Sequence, residues 1–299
     1  MPETLTKCKL CDARDLEEID RRSAIWRCAA CGYVFDNPRP TLDEIVAYYS
    51  TPRKYDAWLE KERAREALWR RRVRKVEKHK KPGTLLDIGA GIGQFLHLAR
   101  HAFTELYGTE VSESAVAIAR EKYGLEISRT AIEDAEFGRT RFDNITLFHV
   151  LEHMHDPGAA VEKCFSLLSD GGMLFIAVPN DLLSLRNRVR KALHRLGVKR
   201  IAYAGRFGLP RISLDGSLSE IHLSHFTPPV LRQFLVSKGF SIVENGLDPY
   251  YAESGMKLVL HTVYYHIQAI ITILFRKNLY DTIWIAARKS GLYRESEGK

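Results

Sequence analysis

Apolar positions recur along this chain with two periods, and the switches between them mark its elements. Leu85, Leu86 and Ile88 make a short apolar run that predicts a buried parallel strand. Helical spacing follows from Gln94, with Phe95, Leu98, Ala99 and Ala102 on one side. Residues 106–111, 142–150 and 171–180 repeat the strand pattern, and helical patterns lie between them. Ser112 caps one such helix and Gly124 closes it. Another, with Ala160, Val161, Cys164, Leu167 and Leu168 on its apolar side, places Cys164 as a small core residue. Upstream, Thr41-x-x-Glu44 predicts a capping box, and a basic helix runs over 55–78 until Pro82-Gly83 stops it. Downstream, Thr227 with Pro228 opens a helix that ends at Gly239. Residues 240–244 and 282–287 read as the last two strands, one of them antiparallel.

Two stretches do not fit a minimal fold. Leu182, Leu185, Val189, Ala192, Leu193 and Leu196 form an apolar stripe on an Arg-rich helix inside an insertion over 181–220. Such a helix serves as a lid over a site mouth, the favoured reading, or as a peripheral contact of segment 182–200 with an anionic membrane. Residues 258–275 lack Asp, Glu, Lys and Arg and approach the length of a membrane span. His261, Tyr264, His266 and Gln268 interrupt them, so a buried or interfacial helix is expected.

The 299 residues suffice for one large domain and a small one. The formal charge of +8 is concentrated over 70–81 and 186–200. Such clusters favour phosphates of nucleic acid, lipid headgroups or nucleotide-linked substrates, or else they are solvated helix faces. Residues 1–9 have no apolar segment of a signal peptide, so a cytoplasmic location is expected. Cys8-x-x-Cys11 and Cys28-x-x-Cys31 stand 16 residues apart, a spacing suited to four thiolates around a tetrahedral zinc. Disulfides are the alternative, disfavoured in a cytosolic chain. Four protein ligands make such a metal structural, with a strand near residues 25–27 leading into the second knuckle.

Gly89, Gly91 and Gly93 alternate through the turn between the first strand and its helix. That arrangement brings backbone N–H groups and a helix N-terminus close to a ligand. The dinucleotide fingerprint fails, because Gln94 or Leu96 stands where its third glycine belongs. The P-loop fails too, since no Gly-Lys-Ser/Thr follows. The stretch LLDIGAGIG instead closely resembles motif I of the class I S-adenosylmethionine-dependent methyltransferases, including the acidic Asp87 at the strand end. The likeness covers roughly residues 83–180 and 221–291, within the small-molecule branch that carries an N-terminal cysteine-rich ribbon. It implies a Rossmann-like, doubly wound α/β sheet of seven strands with one antiparallel, beside a small zinc ribbon. The division is then 1–37 for the ribbon, 38–81 for a helical linker over the cleft, and 82–299 for the methyltransferase domain.

By the same resemblance, Asp87, Gly89, Gly91, Gly93, Glu110, Ile132 and His149 are cofactor-binding candidates. Glu110 ends the second strand, where a carboxylate accepts from both ribose hydroxyls. Relatives hold adenine with an acidic residue where this chain has Ala131, which leaves the Ile132 backbone, Glu133 or Asp134 for that role. The motif HVLEH resembles the family's post-strand segment and places His149 beside the methionine portion of the cofactor. Ubiquinone-type O-methyltransferases carry E-x-x-E-H here, linked to a divalent ion; His149 replaces the first acid. A downstream HLSHFT pattern recurs in the same branch and sends His222 and His225 toward the cleft.

For a hydroxyl acceptor a base near neutrality helps, and His suits it. His225 is the first candidate, then His149, His153 and His222. The expected activity is methyl transfer to a small-molecule hydroxyl or carbon on a sugar, lipid-linked intermediate or secondary metabolite. An RNA methyltransferase is the alternative raised by the ribbon and positive charge, although no Asn-Pro-Pro-Tyr-type motif is present. A catalytically silent scaffold is a further one, opposed by the intact glycines and Glu110.

Overall fold

The computed structural model describes residues 2–51, 55–198, 205–218 and 220–290. The chain opens with an antiparallel ribbon, β1 (Leu16–Asp20), β2 (Ile25–Cys28) and β3 (Val34–Asp36). Helices α1 (Leu42–Tyr49), α2 (Asp56–Glu60) and α3 (Glu62–Glu77) follow. The core continues through β4 (Leu85–Ile88), α4 (Gln94–Ala99), β5 (Leu106–Glu110), α5 (Glu113–Tyr123), β6 (Ser128–Arg129), β7 (Phe142–Phe148), α6 (Pro157–Leu167) and β8 (Leu168–Pro179). After the insertion helix α7 (Leu185–Arg195) come β9 (Ser224–His225), α8 (Pro228–Ser237), β10 (Phe240–Gly246), α9 (Gly255–Phe275) and β11 (Thr282–Lys289).

Seven strands form the main sheet in the order β10-β11-β8-β7-β4-β5-β6. β11 runs antiparallel to both of its neighbours, and the other pairings are parallel. Its run from Ile283 to Ala287 is wholly buried, as suits a strand flanked by β10 and β8 inside the sheet. Gly93 puts a left-handed turn, φ 77°, at the N-cap of α4. A Cβ there would stand 2.7 Å from Leu125, so only glycine lets this helix approach its neighbour.

The local signals hold where capping chemistry is strong. Thr41 and Glu44 close the capping box of α1, and the Ser112 hydroxyl accepts from Ala115 N–H. The expected helix over 55–78 is instead broken at Lys61. Trp58 turns down onto Gly91, 3.1 Å from where a Cβ would lie, and Arg65 stacks on the indole at 3.8 Å. Packing across the glycine turn thus sets the angle between α2 and α3.

The ribbon does not stand apart from the core. Leu5, Leu10, Tyr33 and Phe35 share one apolar cluster with Leu86, Ile88, Phe226 and Leu231. β9 adds a fourth strand to the ribbon sheet, pairing Val34 with His225 and Phe35 with Ser224. Gly158, at the start of α6, completes this contact: a Cβ would fall 2.1 Å from the Lys9 carbonyl oxygen.

Two helices lie at the surface. No residue of α7 is fully buried; Leu185 and Leu193 of its apolar stripe are half-buried, and Val189, Ala192 and Leu196 are exposed. Residues 199–200 of the basic cluster lie outside the described residues. Of the buried and interfacial alternatives for α9, the buried one does not hold, because Gln268 is its one buried residue. The hydropathy of 258–275 reports a surface whose apolar side faces outward.

Candidate active site

The glycine turn and the end of β5 meet through one carboxylate. Glu110 is buried and accepts from Gly91 N–H at 2.8 Å and from Ser112 N–H at 2.9 Å. Burial pushes its carboxyl up, while the backbone amides draw it back down. A carboxylate has about four lone-pair sites, so two remain for a ligand diol. A Cβ on Gly89 would lie 2.5 Å from Val150, and Gly91 meets Trp58 as described. The cradle is therefore built for bare backbone. Asp87 sits below it, accepting from the Thr146 hydroxyl at 2.6 Å, with its carboxyl pushed up to about 7 by burial. Tyr55 and Trp58 cover the turn together with Ile92 and Ala115. Ile132 is buried in the core beneath the neighbouring loop, and Glu133 and Asp134 are exposed.

Beside the turn lies a chain of buried charge that the sequence pattern did not announce. Arg72 on α3 grips Asp248, Nε to Oδ1 at 3.0 Å and Nη2 to Oδ2 at 2.5 Å. Both side chains are shielded from solvent. Asp248 also faces His149 Nε2 at 3.5 Å, and His149 Nδ1 faces Glu152 at 3.3 Å. His149 follows β7 directly with a φ of 58°, a left-handed backbone uncommon for a side-chain-bearing residue. Its ring stacks on Tyr250 with centroids 4.2 Å apart. Burial opposes its charge, but Asp248 and Glu152 outweigh burial and raise its pKa. Burial would raise Asp248, yet Arg72 and His149 hold it well below the usual carboxylate range.

Glu152, His153 and His222 place three ligand-type atoms within 4.8 Å of one another. His153 Nδ1 lies 2.9 Å from the Tyr49 hydroxyl and 2.5 Å from the Ile221 carbonyl. A carbonyl only accepts, so Nδ1 carries the proton and Nε2 keeps a lone pair. Burial lowers the His153 pKa, which keeps the ring neutral. His222 differs: Asp181 and Glu220 overcome burial and raise its pKa well above the imidazole range.

His225, the first candidate for the base, is held between two carboxylates. It enters the ribbon sheet, 4 % exposed, and contacts Asp36 at 2.8 Å and Asp181 at 3.6 Å. Burial disfavours its charge, but the two carboxylates prevail and push its pKa up to about 9. An imidazole that keeps its proton near neutrality is poorly suited to accept another, which disfavours His225 as a base. Nearby carboxylates raise the pKa of His149 and His222 as well, whereas that of His153 is lowered by burial.

In the ribbon, Cys8 and Cys31 sulfurs stand 3.6 Å apart, and Cys11 and Cys28 sulfurs 3.7 Å. All four ligand atoms lie within 4.8 Å of one another. Tetrahedral zinc with Zn–S near about 2.3 Å needs edges of about 3.8 Å, so the donor set fits that metal. Leu10 N–H donates to the Cys8 sulfur at 3.4 Å, an outer contact that steadies a thiolate.

A family model described as a methyltransferase domain matches residues 60–245, more than half of the chain. The chain belongs to this methyltransferase family. Its seven-stranded sheet and glycine turn are those of the class I, S-adenosylmethionine-dependent fold. Similar curated proteins include the ubiquinone biosynthesis O-methyltransferase of Nitrobacter winogradskyi, 35 % identical over 101 residues, covering 32 % of this chain and 38 % of that one. The demethylmenaquinone methyltransferase of Bacteroides fragilis is 27 % identical over 152 residues, covering 48 % and 57 %. This methyltransferase chain thus spans less than two thirds of the length of these relatives. Among solved structures, the complex between the Haloferax volcanii Trm112 methyltransferase activator and the putative methyltransferase aligns with a TM-score of 0.51. That match has 15 % identity and covers 81 % of this chain and 98 % of the other. A putative S-adenosylmethionine-dependent methyltransferase from Listeria monocytogenes aligns with a TM-score of 0.50 at 17 % identity, covering 76 % and 99 %. At such identities the likeness concerns the fold.

The raised pKa of His225 has a signed consequence. Its pairing stabilises the folded state fully below the unfolded imidazole value of about 6.5, and that stability is lost as pH rises through about 9. Thermal unfolding followed from pH 6 to pH 9.5 should show Tm falling across this window, and His225→Gln should flatten the slope. Equal slopes in the two proteins would remove the ion pair from the stability of the joint.

Proposed function

We propose that this methyltransferase transfers a methyl group from S-adenosylmethionine to a small-molecule acceptor, with a hydroxyl-bearing acceptor favoured. The observation that carries the reading is Glu110, held by Gly91 and Ser112 N–H groups beside a turn that tolerates no Cβ. S-adenosylmethionine, when bound, supplies an electrophilic methyl group on a sulfonium. Glu110 accepts from the ribose hydroxyls, the 89–93 turn gives the ligand close backbone approach, and His149 borders the reacting end. Trp58 and Tyr55 exclude water from above the turn. His153 Nε2 takes the proton of the acceptor hydroxyl, with Nδ1–H held on the Ile221 carbonyl. Relatives named for ubiquinone and demethylmenaquinone methylation support a small organic acceptor over RNA. We further propose that the four cysteines hold a structural zinc, which fixes the ribbon and so the position of β9.

Transfer of a labelled methyl group to phenolic and sugar acceptors tests the activity directly. His153→Ala should lower turnover about 10²–10⁴-fold, the range for a lost general base. The wild-type rate should fall on acidification with a pKa below the usual imidazole value, because burial lowers His153. Undiminished turnover in His153→Ala would reject it as base.

Cofactor binding is separable by calorimetry. Glu110→Ala should weaken S-adenosylmethionine binding by about 1.5–3 kcal/mol, the scale of hydrogen bonds to a charged group. Unchanged affinity would dismiss the ribose role.

For the ribbon, metal analysis should find one zinc per chain, lost together with thermal stability in Cys28→Ser. A metal-free protein that melts like the variant would defeat the zinc assignment.

A further inference from the structure

The helix α9 is amphipathic in the inverse sense for a surface helix of a water-soluble body. Leu260, Val263, Ile267, Ile270 and Leu274 recur every third to fourth residue with Val259 beside the first, and all six are 50–69 % exposed. At about 100° per residue they fall within an arc of about 100°, one continuous ridge along a helix roughly 30 Å long. The opposite side, facing the body, carries the polar and aromatic residues. Tyr264 and Tyr265 pack on Tyr280 with ring centroids 5.5 and 5.4 Å apart, and Gln268 is fully buried. Tyr265 also meets Tyr251 at 6.1 Å, just before the helix begins. Both ends of α9 therefore return to the body, through Tyr251 and through β11. The helix lies along the surface, and its ridge faces whatever surrounds the protein.

Cationic groups flank this ridge on both sides. Between α3 and α9 runs an open groove lined by Arg71, Arg74, Lys75 and Lys78 with Tyr265 and His266. Glu244 is the one carboxylate in that lining, so the groove is strongly positive. On the other side Arg186 of α7 lies 3.8 Å from Asp281, and its backbone meets Tyr264. α7 carries Arg186, Arg188, Arg190, Lys191 and Arg195 and no acid. Apolar ridge between cationic margins is the pattern of a helix seated in the plane of an anionic bilayer.

We propose that α9 docks this protein on the surface of an anionic lipid bilayer. The ridge enters the acyl boundary, and the α3 groove and α7 meet headgroup phosphates. A transmembrane span is ruled out by the anchoring of the polar face along the body. A two-fold dimer through the ridge would bring the cationic margins of two copies together, like against like, whereas anionic headgroups offer the opposite charge. The proposal is independent of the acceptor and of the cofactor reading.

Sedimentation of the full chain with vesicles decides it. Vesicles of phosphatidylcholine alone are compared with vesicles mixing it equally with phosphatidylglycerol, and the oligomeric state is measured in parallel by light scattering. The full chain should bind the mixed vesicles about 10-fold or more tightly than the neutral ones, with added salt weakening it. The triple variant L260S/V263S/I267S changes only exposed side chains and should lose about 10-fold or more of that binding at unchanged Tm. Arg188→Glu with Lys191→Glu should weaken binding to the mixed vesicles alone, and it tests the proposal even where the triple variant fails to fold. A full chain that leaves both vesicle types unbound overturns the proposal, as does a dimer that the triple variant converts to monomer without vesicle binding by the wild type.

Discussion

Carboxylates withdrawn from water must be matched by cations, and this constraint ties together parts of the chain that have no other reason to meet. Asp36, Glu152, Asp181 and Asp248 come from the ribbon, the end of β7, the end of β8 and the segment after β10. Arg72, His149, His222 and His225 answer them at 2.5–3.6 Å. Removing one partner from such a pair costs about 3–5 kcal/mol, because the remaining charge stays buried and uncompensated. α3, the insertion and the ribbon are each locked to the carboxyl edge of the sheet by a member of this chain. These pairs gather at the edge where an open α/β sheet places its ligand.

The same constraint sorts the histidines. Three of them have a carboxylate within 3.5 Å of a ring nitrogen, which raises their pKa. His153 has a carbonyl and a tyrosine hydroxyl at Nδ1, with Glu152 only at 3.8 Å. Proximity to an acid thus separates one imidazole of lowered pKa from three of raised pKa inside a cluster that spacing alone presents as equivalent. It also gives the ribbon a role beyond holding its own cysteines. β3 carries Asp36, so any shift of the ribbon moves the partner of His225 and the segment that leads to His222.

α9 follows from a different constraint. It connects β10 to β11, which pair antiparallel, so its two ends are fixed near one edge of the sheet. A helix of 21 residues is too long to tuck into that connection and lies across the surface. Its aromatic inner face fits Tyr251 and Tyr280, leaving the aliphatic side outward.

The glycine turn, the strands of the sheet core, the capping of α1 and α5, and the clustering of four cysteines were legible in the sequence. Each depends on neighbours close along the chain: a Gly without Cβ, an apolar run, a hydroxyl three residues before an amide, two thiols on one knuckle. Glu110 was legible because its place at a strand end is local too. The break between α2 and α3, the exposure of α9 and the charge of each histidine were decided only in three dimensions. His225 reads as a cleft residue from HLSHFT, yet β3 captures it 189 positions away in sequence. Arg72 and Asp248, separated by 176 positions, have no sequence signature at all. Periodicity reports which side of a helix is apolar but not which side faces the protein, and spacing reports which groups lie near along the chain but not which charges share a dry interior. Those two facts belong to the tertiary structure, because burial and pairing are properties of what folds against a residue.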